Sequence, residues 1–176
     1  MMATILIKSI EEINLIKTWY KKKGQLQNLL IFILSTNTGI ELTDLLDLKI
    51  KDVKDKLYLS LKKQHSMPLN DEILELVNLV IKGRKVSDYL FVNTRANKCD
   101  RVTVLNCFKN VCTELGLSEN YSISSWRKTF VYHFYEKYKD ISYLMWLFNQ
   151  NTTEVALKFI DVKENMNLRF RDGVSL

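Results

Sequence analysis

At 176 residues and 47% hydrophobic content, the chain is long enough for one ordinary domain with a substantial core and is too apolar to be disordered. One proline and five glycines argue against a strand-and-turn architecture and for long helices. With 26 Lys and Arg against 20 Asp and Glu, the net charge of +6 suits a polyanionic partner without requiring one.

Residues 9–20 place apolar side chains at helical spacing, and Ser9 with Glu12 has the spacing of a capping box. Lys21-Lys22-Lys23-Gly24 then gives the cations and glycine of a helix C-terminus. Gln25 to about Thr36 is strongly apolar and predicts the central core helix. Thr38-Gly39 turns the chain. Glu41 to Leu48 predicts a short helix with Leu42, Leu45, Leu46 and Leu48 inward and Glu41, Asp44 and Asp47 outward. The period then changes: Leu57, Leu59 and Leu61 alternate with Tyr58 and Ser60, as in a strand. Lys62-Lys63-Gln64-His65 makes a polar turn, and Ser66-Met67-Pro68-Leu69 returns as a second strand, with Pro68 at a sheet edge or strand end.

Asn70 or Asp71 caps a helix running to Ile81. Tyr89-Leu90-Phe91-Val92 is a short buried strand or extended segment, and Arg95 to Arg101 a basic loop. Val102 to Leu115 is a helix stopped by Gly116. Further helices cover Ile141 to Phe148 and Thr152 to about Asp161, followed by a tail, residues 162–176, that docks on its own domain or on a neighbour.

The strongest helical run opens with Ser122-Ile123-Ser124-Ser125-Trp126-Arg127-Lys128-Thr129-Phe130 and continues to about Tyr138. Ser124 or Ser122 is its N-cap. Trp126, Phe130, Val131 and Phe134 form one apolar face, with Arg127 in the first turn and off that face. A cation at a helix N-terminus opposes the dipole, so Arg and Lys together there make sense if an anion such as a phosphate shares the site. The alternative is that both are solvated surface charges.

Cys99, Cys107 and Cys112 form no CxxC or Cys/His pattern. Their odd number, with no secretory signal, predicts reduced thiols and a cytoplasmic protein. His65 and His133 are too isolated for a metal site, and no cofactor is expected. The longest apolar run, Leu29 to Leu34, is far too short to span a bilayer, so no membrane partner is expected. The fold class is α+β and mostly helical, with one small antiparallel hairpin.

Several segments, in order, resemble the C-terminal catalytic domain of tyrosine recombinases, the phage-type integrases. Residues 38–53, from Thr38-Gly39-Ile40-Glu41 to Asp52-Val53, are similar to the TGLRxSELLxLxWxDI segment. Leu57 to Leu69 resembles the family hairpin, with Met67-Pro68-Leu69 like its V-P-L return. Tyr89-Leu90-Phe91 resembles the LF strand, Ser124 to Phe130 the HxLRHTF box, and Phe148 to Val162 the LGHxxxxxTxxYxxV segment. The likeness covers nearly the whole chain after about Ile7. It implies one catalytic-type domain over residues 1–176, with a small hairpin or three-stranded sheet and without the family's N-terminal core-binding domain. DNA affinity would then be weaker than the family's.

The family breaks and rejoins DNA through a phosphotyrosine. Two arginines clamp the scissile phosphate, a tyrosine attacks it, and a hairpin lysine protonates the leaving oxygen. Most of that machinery is replaced here. The first clamp arginine aligns with Glu41, the first box histidine with Ser124 and the second with Lys128. The LGH histidine aligns with Gln150 and the nucleophile with Phe159. The second clamp arginine is kept as Arg127. The hairpin lysine corresponds to Lys62 or Lys63, although counting from Pro68 reaches Ser60. A phenyl ring has no oxygen with which to form a phosphoester. An anion in place of a clamping cation costs on the order of 4 kcal/mol at about 4 Å in an effective dielectric near 20.

The resemblance therefore implies a recombinase fold without strand cleavage, a pseudoenzyme that binds double-stranded DNA as an accessory in recombination, integration or mobile-element maintenance. Lys62, Lys63, Arg95, Lys98, Arg101, Arg127 and Lys128 are the expected phosphate contacts, flanked by Lys49, Lys51 and Lys54. Each alone is otherwise a solvated charge. Glu41 and Arg127, aligned with the two halves of one clamp, are expected to form an ion pair. The alternative function is a protein-interaction module that regulates an active recombinase, or self-associates, through the C-terminal tail, with Leu168 and Phe170 as anchors. A third is an active recombinase or relaxase with a displaced nucleophile such as Thr152 or Thr153.

Overall fold

A run of six residues, Leu29 to Leu34, is at most 1% exposed throughout, as in a helix covered on every side. That helix is α2 (Leu26–Thr38) in the computed structural model, which describes residues 5–61 and 64–147. Helices α1 (Ile10–Lys22), α4 (Asp71–Ile81) and α6 (Ile123–Tyr138) pack around it. The other elements are α3 (Leu42–Leu46), a 3₁₀ turn (Ile50–Asp52), strands β1 (Tyr58–Leu61) and β2 (Gln64–Pro68), α5 (Arg101–Glu114) and α7 (Ile141–Leu147).

Local chemistry sets the helix ends. Ser9 Oγ accepts the Glu12 amide at 3.1 Å, and Asn70 Oδ1 accepts that of Ile73 at 3.0 Å, so Asn70 rather than Asp71 caps α4. The Ser9–Glu12 capping box is only half formed, because the Glu12 carboxylate accepts the Tyr121 hydroxyl at 2.7 Å instead. Gly39, at φ +67°, closes α2 in the left-handed conformation that glycine adopts freely, and the chain turns there into α3.

Aromatic rings tie α2 to its neighbours. Phe32 meets Trp126 edge-on with centroids 5.6 Å apart, and Phe108 meets Trp126 in the same way at 4.9 Å. Trp126 is 1% exposed, so the apolar face of α6 is pinned to the centre of the domain. The N-terminal segment crosses that helix: the Ile7 amide donates to Thr129 Oγ1 at 2.9 Å, and the Ile7 carbonyl lies 3.0 Å from His133 Nε2.

β1 and β2 form an antiparallel hairpin, pairing Tyr58 with Pro68 and Leu59 with Met67, with an irregularity before Leu61 meets Gln64. Leu59, Met67 and Leu69 are buried while Tyr58, Ser60 and Pro68 face out, which is the period-two alternation of a half-covered sheet. Among the described residues the sheet has two strands, so of the two sheet arrangements expected the hairpin alone is present. Tyr89 and Val92 make only isolated bridges, to Lys49 and Lys98. The reason lies in the backbone pairing: the Leu90 amide goes to Leu48, the Phe91 carbonyl to Cys99 and the Val92 amide to the Gln27 side chain, so no continuous ladder forms. Arg101 opens α5 instead of ending a loop, because Asp100 accepts the Thr103 amide at 2.8 Å and caps the helix one residue earlier than expected. The expected helix from Thr152 and the tail 162–176 lie outside the described residues.

Candidate functional site

The end of α2, the start of α3 and the start of α6 enclose a cleft of about 400 Å³. Ser122 caps α6, its amide donating to Ser125 Oγ at 2.9 Å. The helix thus starts at Ile123, which moves Arg127 from the expected first turn to the beginning of the second. Trp126 turns into the core and Arg127 turns into the cleft, as the 100° step between neighbours on a helix requires.

Arg127 Nη1 forms an ion pair with Glu41 Oε1. The Arg127 side chain is 16% exposed and that of Glu41 59%. Burial holds the guanidinium below its ordinary pKa, and the charge of Glu41 and the hydrogen bond to it act the other way. Arginine remains cationic at any physiological pH. The two halves of the aligned clamp are therefore in contact, one as a cation and the other as a carboxylate.

Arg101, Ser124, Lys128, Thr43 and Ser35 line the same cleft. Ser124 Oγ lies 2.8 Å from Ser122 Oγ. Three cations from two helices, Arg101, Arg127 and Lys128, thus converge on a space that contains one carboxylate, Glu41. Opposed cations around a concave surface are suited to an oxyanion.

The other expected contacts are placed elsewhere or not described. Arg95 is exposed on a tight turn held by Asn93, whose Oδ1 accepts the Arg95 amide at 2.9 Å and the Asn97 amide at 3.1 Å. Lys98 forms an ion pair with Asp47, which follows α3 directly. Lys49 is half-buried with its ammonium 5.7 Å from the Tyr89 ring centroid, while Lys51 and Lys54 are exposed. Lys62, Lys63, Gln150 and Phe159 lie outside the described residues. Asp47 is the participant that motif reasoning passed over. Its spacing from Glu41 and Asp44 puts all three on one side of α3, and that spacing is the signal that marks it.

A second recess, of about 360 Å³, lies between α6, α7 and the end of α2. Phe130, Phe134, Tyr138, Tyr143, His133 and Met67 line much of it. Phe134 and Tyr143 stack with centroids 5.0 Å apart, and Tyr138 and Trp146 nearby are 56% and 50% exposed. Among the described residues no group of His, Cys, Asp and Glu is arranged to hold a metal ion, and no helix is long and apolar enough to cross a membrane.

Comparison with known proteins places this geometry in context. The family model described as "Phage integrase family" matches residues 7–164. The "Probable integrase/recombinase YoeC" of Bacillus subtilis (strain 168) is 27% identical over 165 residues, covering 90% of each chain. The "Tyrosine recombinase XerA" of Pyrococcus horikoshii is 30% identical over 146 residues, which is 76% of this chain and 50% of XerA. The integrase of transposon Tn1549, solved in complex with transposon right-end DNA, superposes with a TM-score of 0.77 at 15% identity, over 97% of this chain and 65% of that one. This chain therefore spans half the length of one curated relative and about two thirds of the solved structure.

Proposed function

We infer a function from one premise: the chain belongs to the phage integrase family and has the fold of a tyrosine-recombinase catalytic domain. We propose that it binds double-stranded DNA through the cleft at the start of α6, as an accessory in recombination, integration or mobile-element maintenance, and that it does not cleave strands. The observation that carries the reading is the convergence of Arg101, Arg127 and Lys128 on one cleft. A net positive charge on a concave surface focuses its field on a phosphate backbone. Lys62 and Lys63, between β1 and β2 in the sequence, and Arg95 on its turn are counted with the basic set. The absence of cleavage rests on the chemistry of the aligned positions: Phe159 has no hydroxyl and Glu41 is an anion.

The test is binding of a labelled duplex across a salt series by the wild type and by Arg127→Ala with Lys128→Ala. Expected is binding that weakens steeply with salt, and a double variant whose log K against log salt is shallower by roughly 1.8, from about 0.9 for each phosphate no longer neutralised. Wild-type retention on DNA that does not change with salt contradicts the reading.

A second reading, an assembly module acting on a recombinase or on another copy of itself, is favoured by the aromatic recess between α6 and α7. Half-exposed Tyr138 and Trp146 beside a concave apolar surface are the residue types that anchor protein partners. The expectation that residues 162–176 supply the anchoring segment belongs to this reading. Deleting them and measuring oligomeric state tests it.

A further inference from the structure

Among the described residues, Arg127 and Lys98, both expected to touch DNA, are paired with carboxylates from one short stretch. Arg127 pairs with Glu41, the N-cap of α3, and Lys98 pairs with Asp47, its C-cap. Glu41 and Asp47 are six positions apart, about 9 Å along a helix at 1.5 Å per residue. Each carboxylate is the more exposed member of its pair: 59% against 16% for Arg127, and 65% against 41% for Lys98. The anion is therefore the partner with more room to swing into solvent. Asp44, between them on α3, adds its charge to the field at Arg127.

We propose that Glu41 and Asp47 are intramolecular stand-ins for two DNA phosphates, and that duplex DNA engages Arg127 and Lys98 by displacing them. The proposal rests on the DNA-binding reading above and adds a threshold to it. A polyanion must outcompete two tethered carboxylates, so engagement needs a high local phosphate density, and α3 restrains indiscriminate binding by an otherwise basic protein. Carboxylate and phosphate oxygens present the same acceptor chemistry to a guanidinium or an ammonium, which makes the exchange one for one.

The experiment compares the full-length wild type with Glu41→Gln, Asp47→Asn and the double variant for binding to a labelled 30-base-pair duplex between 50 and 300 mM salt. A charge-matched control, Glu72→Gln with Glu136→Gln, removes two other paired carboxylates and releases Lys17 and Lys139 elsewhere on the surface. The double variant is expected to bind at least ten-fold more tightly than wild type at 100 mM salt. Its log K against log salt should keep nearly the wild-type slope, because the same two phosphates are neutralised in both complexes. Each single variant should show about half of that affinity gain on a logarithmic scale, and the control little. If wild type binds and the double variant matches it in affinity, or steepens by the slope of two further phosphates, the displacement idea is overturned and the DNA-binding reading stands. An equal gain in the control also overturns it, since net charge alone then explains the effect. Binding by the double variant where wild type shows none supports the proposal. No binding by any of them at 50 mM salt removes both the proposal and the reading beneath it.

Discussion

Ile7 and Thr129, 122 positions apart, are joined by a buried hydrogen bond from the Ile7 amide to the threonine hydroxyl. The same hydroxyl donates to the Ser125 carbonyl at 2.7 Å, one turn back along α6. Thr129 therefore fastens the N-terminal segment to the helix that carries Arg127, and one side chain satisfies two backbone groups in the interior. Thr129→Val keeps the shape and removes the acceptor. It should destabilise the protein by ~1–3 kcal/mol, the usual cost of a buried donor left unmet. Thr129→Ser should retain most of the stability. Urea unfolding of both variants checks this, and amide exchange at Ile7 should accelerate in the valine variant only.

The aromatic centre predicts a larger effect. Trp126 is 1% exposed and meets both Phe32 and Phe108 edge-on. Trp126→Ala removes the largest buried side chain of α6 and leaves a cavity, at a cost of ~3–5 kcal/mol. Trp126→Phe should cost clearly less, because its indole N–H has no hydrogen-bond partner among the described residues and the change sacrifices little polar pairing. Denaturant midpoints would rank the two, and a larger loss for phenylalanine than for alanine would refute the packing account.

Alkaline pH should weaken the fold. Burial pushes the Cys112 thiol up from about 9 to about 11, and burial raises Tyr20 and Tyr121 as well. A proton held more tightly by the folded state gives stability that is complete below the unfolded pKa and is lost as pH rises through the folded one. Stability should therefore fall between about pH 9 and about pH 11, and Cys112→Ala should reduce the steepness of the fall. Native Cys112 should also resist alkylation at pH 8 and react once the protein is unfolded.

The proposed absence of strand cleavage has a direct assay. A duplex carrying a nick next to the scissile position traps a covalent intermediate, because the short fragment diffuses away after attack. Incubation with this protein should give no adduct on a denaturing gel. An adduct that survives denaturation and maps to Thr152, Thr153 or any other side chain would overturn the pseudoenzyme reading.

Much of this was legible in the sequence because helix signals are local. The spacing of apolar residues, the caps at Ser9 and Asn70 and the glycine after Thr38 each act over a few residues, and the elements they imply are present. The Glu41–Arg127 pair was legible for a different reason: two motifs of one family brought the residues together before any coordinate did. Long-range polar choices were not legible. Nothing near Glu12 says that its carboxylate will leave the capping box for Tyr121, 109 positions away. Nothing near Lys98 says that Asp47 will take it, since an exposed lysine is a plausible phosphate contact by composition alone. The segment from Tyr89 to Val92 looks like a strand because its side chains are apolar. Whether it joins a sheet depends on where Leu48, Cys99 and Gln27 stand, which the segment itself does not encode.

The two neighbours Trp126 and Arg127 face different ways, one into a packed interior and the other toward a half-solvated carboxylate. Their separation uncouples architecture from reactivity. A lineage can reverse a charge at Glu41 without disturbing a single interior contact of α6, and then drift back just as cheaply. Under the proposed reading, loss of chemistry in such a scaffold is a short evolutionary step that leaves the shape intact.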